Sequence, residues 1–256
     1  MPRIAANLTT LFTELPMLDR FAAAADAGFE GAEILFPYDI AGPQLARAAA
    51  AAGLPIVLIN APPPNWAGGP RGFAAVPGLE DRFRRDFERS LRVAEALRSR
   101  HIHVMAGRAE GPEALDTLVR NLAWAAERAP HASLTIEPAS PRSMPGSFLT
   151  DYGTALEVIG RIGAPNLGLQ LDMHHALSIT GDLAACWDDV AAVTRHVQIA
   201  GWPARTEPDP QAAPLAGLLA ALVASGYRGW IGAEYDPTRT TQAGLGWLDR
   251  LRGVVA

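Results

Sequence analysis

The sequence predicts an α/β protein, a (β/α)8 barrel forming a single domain over residues 1–256, and three observations lead there. Short apolar runs rich in β-forming residues alternate with longer Ala/Leu/Arg-rich runs of helical period. Eight such pairs fit within 256 residues, and this architecture closes at roughly 250 residues. The alternation continues evenly to the end, with no linker, no composition break and no G-x-G-x-x-G after the first run, which argues against an open doubly wound sheet.

The elements follow in order. RIAAN at 3–7 is the first strand, and a helix at 16–27 is closed by Gly28, the residue type that best accepts a left-handed helix end. GAEILF at 31–36 leads through a helix at 42–52 and Gly53 to PIVLIN at 55–60. The Pro/Gly-rich stretch APPPNWAGGPRGFAAVPG follows. It is longer than most connections, and loops of that length inside a compact domain are commonly functional. A helix at 79–99 precedes HIHVMAG at 101–107, and a helix at 112–128 precedes SLTIEP at 133–138. A helix at 151–162 leads to LGLQLD at 167–172, and a helix at 181–192 leads to RHVQIA at 195–200. A second Pro-rich loop and a helix at 214–224 lead to GWIGAEY at 229–235, and a helix at 240–254 closes the chain.

Composition removes several functions. A net charge of −5 gives no electrostatic footprint for nucleic acid. No apolar run reaches the roughly 18–20 residues of a membrane span, and MPRIAANLTT lacks the apolar region of a signal peptide. With one cysteine, Cys186, no internal disulfide and no Cys-based zinc site can form, which suits a cytoplasmic location. Every basic residue other than histidine is arginine. Schiff-base chemistry on a lysine is therefore excluded.

In such barrels the active site lies at the C-terminal ends of the strands. Reading the last polar residues of four consecutive runs gives Glu137, Asp172, Gln198 and Glu234. Two glutamates, an aspartate and an amide oxygen suit a hard divalent cation, Mg²⁺ or Mn²⁺. Converging carboxylates without a cation would raise one another's pKa values. His174 and His175 follow Asp172; being adjacent, they point differently, and one at most faces the site. His101 and His103 share a strand face, with His103 nearer the mouth, and His196 shares a face with Gln198 but lies deeper. Arg71, Arg142, Arg205 and Arg239 fall in loops at the catalytic face, where an arginine is suited to grip a substrate carboxylate. Trp66 and Trp202 are expected to wall the pocket.

Several stretches together resemble the hydroxypyruvate isomerase family within the xylose isomerase-like TIM barrels. They are NLTTLFTELPMLDRFAAAADAGFEGAEILFPYD, NAPPPNWAGGPRGFAAVPG, HVMAG, TIEPASPRSMPGSFL, LGLQLDMHH, HVQIA and GAEYDPTRTTQAGLGWL. The resemblance implies the same four metal ligands, an acid/base pair at Glu137 and Glu234, and a substrate-side role for His175. It implies isomerisation of a small hydroxy-oxo acid, hydroxypyruvate to tartronate semialdehyde first, with a four-carbon oxo-acid, ketose 3-epimerisation or non-catalytic sugar-acid binding as alternatives. Homo-oligomers are common among such enzymes. Two departures leave substrate identity open. Ser140 stands where the family has asparagine, and the 202–213 loop keeps Arg205 and Glu207 without the family's acidic continuation.

Overall fold

A computed structural model describes residues 2–63, 68–69 and 71–255. Trp66 lies outside these residues. Eight parallel strands form one closed sheet in sequence order, and β1 closes the ring against β8 through Arg3↔Trp230 to Ala6↔Ala233. The order is β1 Arg3–Asn7, α1 Met17–Asp26, β2 Gly31–Glu33, α2 Gly42–Ala51, β3 Ile56–Ala61 and α3 Glu80–Leu97. It continues with β4 His101–Val104, α4 Pro112–Arg128, β5 Ser133–Ile136, α5 Tyr152–Ile162, β6 Leu167–Asp172, α6 Met173–Thr180 and α7 Leu183–Val190. The last elements are β7 Thr194–Ile199, α8 Ala213–Ala224, β8 Trp230–Ala233, α9 Thr241–Gly244 and α10 Gly246–Val255.

The helices ring the sheet because each carries an apolar stripe at helical spacing. On α3 the stripe is Phe83, Phe87, Leu91 and Ala94; on α4 it is Ala114, Leu118, Leu122 and Ala125, all buried. Phe83 and Phe87 meet Trp124 edge-on across the two helices at 6.2 and 5.8 Å. The main core is this layer between helices and sheet. Fully burying each large apolar side chain there contributes about 1.5–3 kcal/mol. At the strand starts, Ala5, Val57 and Trp230 form a separate apolar plug. Gly31 is required beside it, since a Cβ there would run into the Trp230 ring and Val57.

The rest of the barrel interior is polar. Asn7, Glu33, His101, His103, Thr135, Gln170, Asp172, His196 and Gln198 are all buried. Apolar packing thus covers the outside and plugs part of the lower end, and the upper interior carries the polar groups.

Two expectations are corrected. The segment between β6 and the helix expected at 181–192 is itself helical: α6 starts at Met173, directly after Asp172, and the expected helix is the shorter α7. The reason is capping. The Asp172 carboxylate accepts the His175 amide at 2.8 Å, and Asp182 accepts the amides of Ala184 and Ala185 at the start of α7. The closing helix expected at 240–254 is broken at Leu245 into α9 and α10.

Candidate active site

The strand ends deliver three carboxyl groups to one cavity region. Glu137 follows β5, Asp172 ends β6 and Glu234 follows β8. Asp172 is fully buried, while the Glu137 and Glu234 side chains keep 13% and 16% of their surface exposed. One cation reaches this cluster from the 202–213 loop. Arg205 Nη2 donates to Asp172 Oδ2 at 2.6 Å and to Glu234 Oε1 at 2.8 Å, and its Nε donates to the Glu234 carbonyl at 3.2 Å. Glu207 anchors the same loop by accepting the Thr238 amide and hydroxyl. The two residues retained from the family's loop pattern therefore act as a reach and an anchor.

The electrostatics are uneven. Burial, reinforced by Asp172 and Glu234, pushes the Glu137 carboxyl well above its usual range. Burial likewise lifts Glu234 to about 7; Asp172 and Glu33 add to this, and Arg205 opposes it. Burial also acts upward on Asp172, but Arg205, His175 and the His175 amide outweigh it and hold that carboxyl below its ordinary value. Burial works against the Arg205 charge, yet Asp172 and Glu234 more than offset it, so the guanidinium stays protonated.

The histidines divide as their positions suggest. His103 Nε2 lies 3.7 Å from Glu137 Oε2, and burial keeps its ring neutral, down to about 4. His175 Nδ1 accepts the Ser140 amide at 3.1 Å. A neutral imidazole whose Nδ1 is an acceptor carries its proton on Nε2, and that nitrogen lies 3.5 Å from Arg205 Nη1. Burial lowers the His175 pKa, which favours this neutral form. His174 instead turns outward, with Nε2 3.1 Å from the Pro203 carbonyl oxygen and its ring 5.2 Å from Trp202. Trp202 is an exposed apolar residue packed on His174, not a wall of the cavity.

Gln198 is fixed from three sides. Its Nε2 donates to Glu234 Oε2 at 2.6 Å and to Glu33 Oε2 at 2.8 Å, and its Oε1 accepts Gln170 Nε2 at 2.8 Å. The amide thus turns its nitrogen, not the expected oxygen, toward the Glu234 carboxylate. Glu33 also accepts Asn7 Nδ2 at 3.1 Å and pairs with His196 Nε2 at 2.5 Å, deep in the barrel. Asn7 joins the cluster directly by donating to Glu234 Oε2 at 3.2 Å.

Among the described residues, the ligand atoms of Glu137, Asp172 and His175 lie within 4.8 Å of one another, the spacing at which side chains can share a metal ion. Glu137 Oε1 is buried without a hydrogen-bond partner. An unpaired, buried carboxylate oxygen beside a second acid fits a hard cation. The His175 tautomer makes that ring a poor ligand through Nε2.

A cavity of about 380 Å³ opens over the cluster, with Glu137, Glu234, His103, His175 and Gln170 in its lining. Arg71 lines it and stacks over Phe36, with its guanidinium carbon 4.8 Å from the ring centre. Arg108, which sequence reasoning did not single out, lines it as well. Arg142 does not: it is exposed, and its loop presents Ser143, Met144 and Ser147 to the cavity instead. Arg239 is likewise elsewhere, donating to the Ala243 carbonyl. Glu33, Asn7 and Gln170 were also missed. For Glu33 a signal existed, an acid in the middle of the apolar run GAEILF.

Comparison with known proteins agrees with the fold. The family model described as "Xylose isomerase-like TIM barrel" matches residues 21–251. 2-Oxo-tetronate isomerase of Cupriavidus necator is 43% identical over 254 residues, covering 97% of this chain and 98% of that protein. Hydroxypyruvate isomerase of Escherichia coli is 37% identical over 258 residues, covering 98% of this chain and all (100%) of that protein. A crystal structure from Brucella melitensis, named as an AP endonuclease of family 2, superposes with a TM-score of 0.93 at 42% identity, covering 98% of this chain and 99% of that one.

Proposed function

The chain belongs to the xylose isomerase-like TIM-barrel family, and from that premise we propose that it is an aldose–ketose type isomerase of a three- or four-carbon hydroxy-oxo acid, assisted by Mg²⁺ or Mn²⁺. The observation that carries the reading is the pair Glu137 and Glu234. Both stand at the C-terminal ends of strands, Glu137 after β5 and Glu234 after β8, and both line one cavity. Two carboxyl groups facing one cavity can take a proton from one carbon and return it to its neighbour, as an isomerase requires. The relatives named for hydroxypyruvate and for 2-oxo-tetronate bracket the substrate class.

Glu137 and Asp172, with Glu234 and Gln198 after side-chain rearrangement, are the residues we assign to the cation. When bound, a divalent cation acidifies the C–H beside a carbonyl and neutralises the charge that proton removal leaves on oxygen. The chain's own groups do the rest. One of Glu137 and Glu234 removes the proton from the carbon bearing the hydroxyl, and the other manages delivery to the neighbouring carbon. His175 presents its Nε2–H to a substrate oxygen, and neutral His103 supports Glu137. Arg71 is suited to the substrate carboxylate from the mouth of the cavity, and Arg205 holds Asp172 and Glu234 in place.

The relative named as an endonuclease raises a second class, DNA repair. A net charge of −5 and a metal-capable group with a single histidine do not favour it. The test is turnover of hydroxypyruvate and of four-carbon 2-oxo acids, before and after EDTA, with Mg²⁺ or Mn²⁺ added back. Isomerisation abolished by EDTA and restored by either ion is expected. Activity indifferent to EDTA would overturn the metal reading, and inertness toward the whole panel would overturn the substrate class.

A further inference from the structure

A second cavity, of about 640 Å³, lies at the opposite end of the barrel, where the strands begin. Arg100, Arg195 and Arg228 line it, and no aspartate or glutamate is among its lining residues. The chain holds 27 acidic residues against 22 basic ones, so a concavity with three guanidinium groups and no acid is an uneven use of charge. None of the three arginines forms an ion pair with a carboxylate among the described residues, although His131, also in the lining, pairs with Glu95 at 3.1 Å. All three arginines are exposed, and like charges lining one cavity repel one another and place a positive field over it.

The site is also partly preformed. The Arg195 stem crosses the face of Gly168, where any Cβ would overlap it, and its Nη2 donates to the Pro165 carbonyl at 3.0 Å. The buried His101 ring contributes to the lining. Its Nδ1 lies 2.9 Å from the Ser133 hydroxyl, and its Nε2 is buried without a hydrogen-bond partner. Burial holds that ring neutral, down to about 2, and the charges of His196, Arg100 and Arg195 all push the same way.

We propose that this cavity binds a phosphate-class oxyanion between Arg100, Arg195 and Arg228, either free phosphate or the phosphate group of a small metabolite. Planar guanidinium forks match the paired oxygens of such an anion, and the anion relieves the mutual repulsion of the three charges. The site is separate from the carboxyl cluster and does not depend on the proposed reaction.

The experiment is calorimetric titration of the full chain with inorganic phosphate and, in a second arm, with glycerol 3-phosphate. It compares wild type, the double variant Arg100→Ser/Arg228→Ser, and Arg71→Ser as a control for the mouth of the catalytic cavity. Expected is saturable binding that weakens with added salt, is about tenfold or more weaker in the double variant, and is unchanged in Arg71→Ser. Isomerase turnover of the double variant without phosphate should match wild type. Tighter binding of glycerol 3-phosphate would identify a phosphorylated metabolite as the source, and tighter binding of inorganic phosphate would identify the free ion. No saturable binding in either arm, or binding retained in the double variant, would overturn the proposal.

Discussion

Replacing Arg205 by methionine removes the one guanidinium that bonds both Asp172 and Glu234 while keeping most of the side-chain bulk. Asp172 is fully buried and Arg205 is 22% exposed, so the bond to Asp172 is the better shielded part of the interaction. Breaking a buried ion pair by removing one partner costs about 3–5 kcal/mol, and the partial exposure of Arg205 favours the low end. For a chain of this size about 3 kcal/mol lowers the melting temperature by about 6–12 °C. The pH dependence has a definite sign. Asp172, held below its ordinary value, adds stability that is present above the unfolded value of about 3.9 and is lost as pH falls. Glu234, lifted to about 7, acts the other way: its contribution weakens the fold as pH rises from about 4.3 toward 7. Without Arg205 both carboxyls move upward, so the variant should lose stability relative to wild type as pH rises from 5 to 8. The assay is thermal unfolding in EDTA across that range, repeated with Mn²⁺, which should narrow the gap by supplying the missing positive charge. Equal melting temperatures at pH 8 in EDTA would refute the claim that Arg205 balances the cluster.

Other outcomes follow from the same geometry. Glu137→Gln and Glu234→Gln should each lower turnover by about 10²–10⁴-fold with unchanged circular dichroism; near-wild-type rates in either, with metal present, would remove that glutamate from the chemistry. Gly232→Ala should yield little folded protein, because a Cβ there collides with the Glu33 carboxylate inside the barrel; normal soluble yield and melting temperature would show that Glu33 has room to move. Phe87→Ala should cost about 3–5 kcal/mol in urea unfolding, since Phe87 fills the seam between α3 and α4 against Phe83 and Trp124; a cost below about 1 kcal/mol would mean the seam collapses to fill the gap.

Much of this was legible from periodicity. The eight strand–helix pairs are readable because the two hydrophobic periods differ so clearly, and counting strand ends picked out Glu137, Asp172 and Glu234 as neighbours. Gln198 was also found, but the direction its amide faces depends on Glu33 and Gln170, far away in sequence. Glu33 was hidden for a different reason. The run GAEILF reads as one continuing strand, whereas β2 ends at Glu33 and delivers that acid to the interior. Asn7 and Glu234 are 227 positions apart and meet only because the barrel closes. Arg142 and Arg108 were told apart by neither composition nor spacing, since loop direction decides which arginine faces the cavity. The helix after Asp172 was missed because the next helical period was placed only at 181–192, although an aspartate is also a good helix cap.

The two attachments of the 202–213 loop make it a mechanical link. Arg205 ties its first half to the carboxyl cluster and Glu207 ties it to Thr238, while Pro208 and Pro210 are buried further along and the Gln211 amide closes a local turn on Asp209 before α8. The charge that balances Asp172 and Glu234 is therefore carried by a connection and not by a strand. A substitution that shifts this loop alters the charge on the acids without touching them.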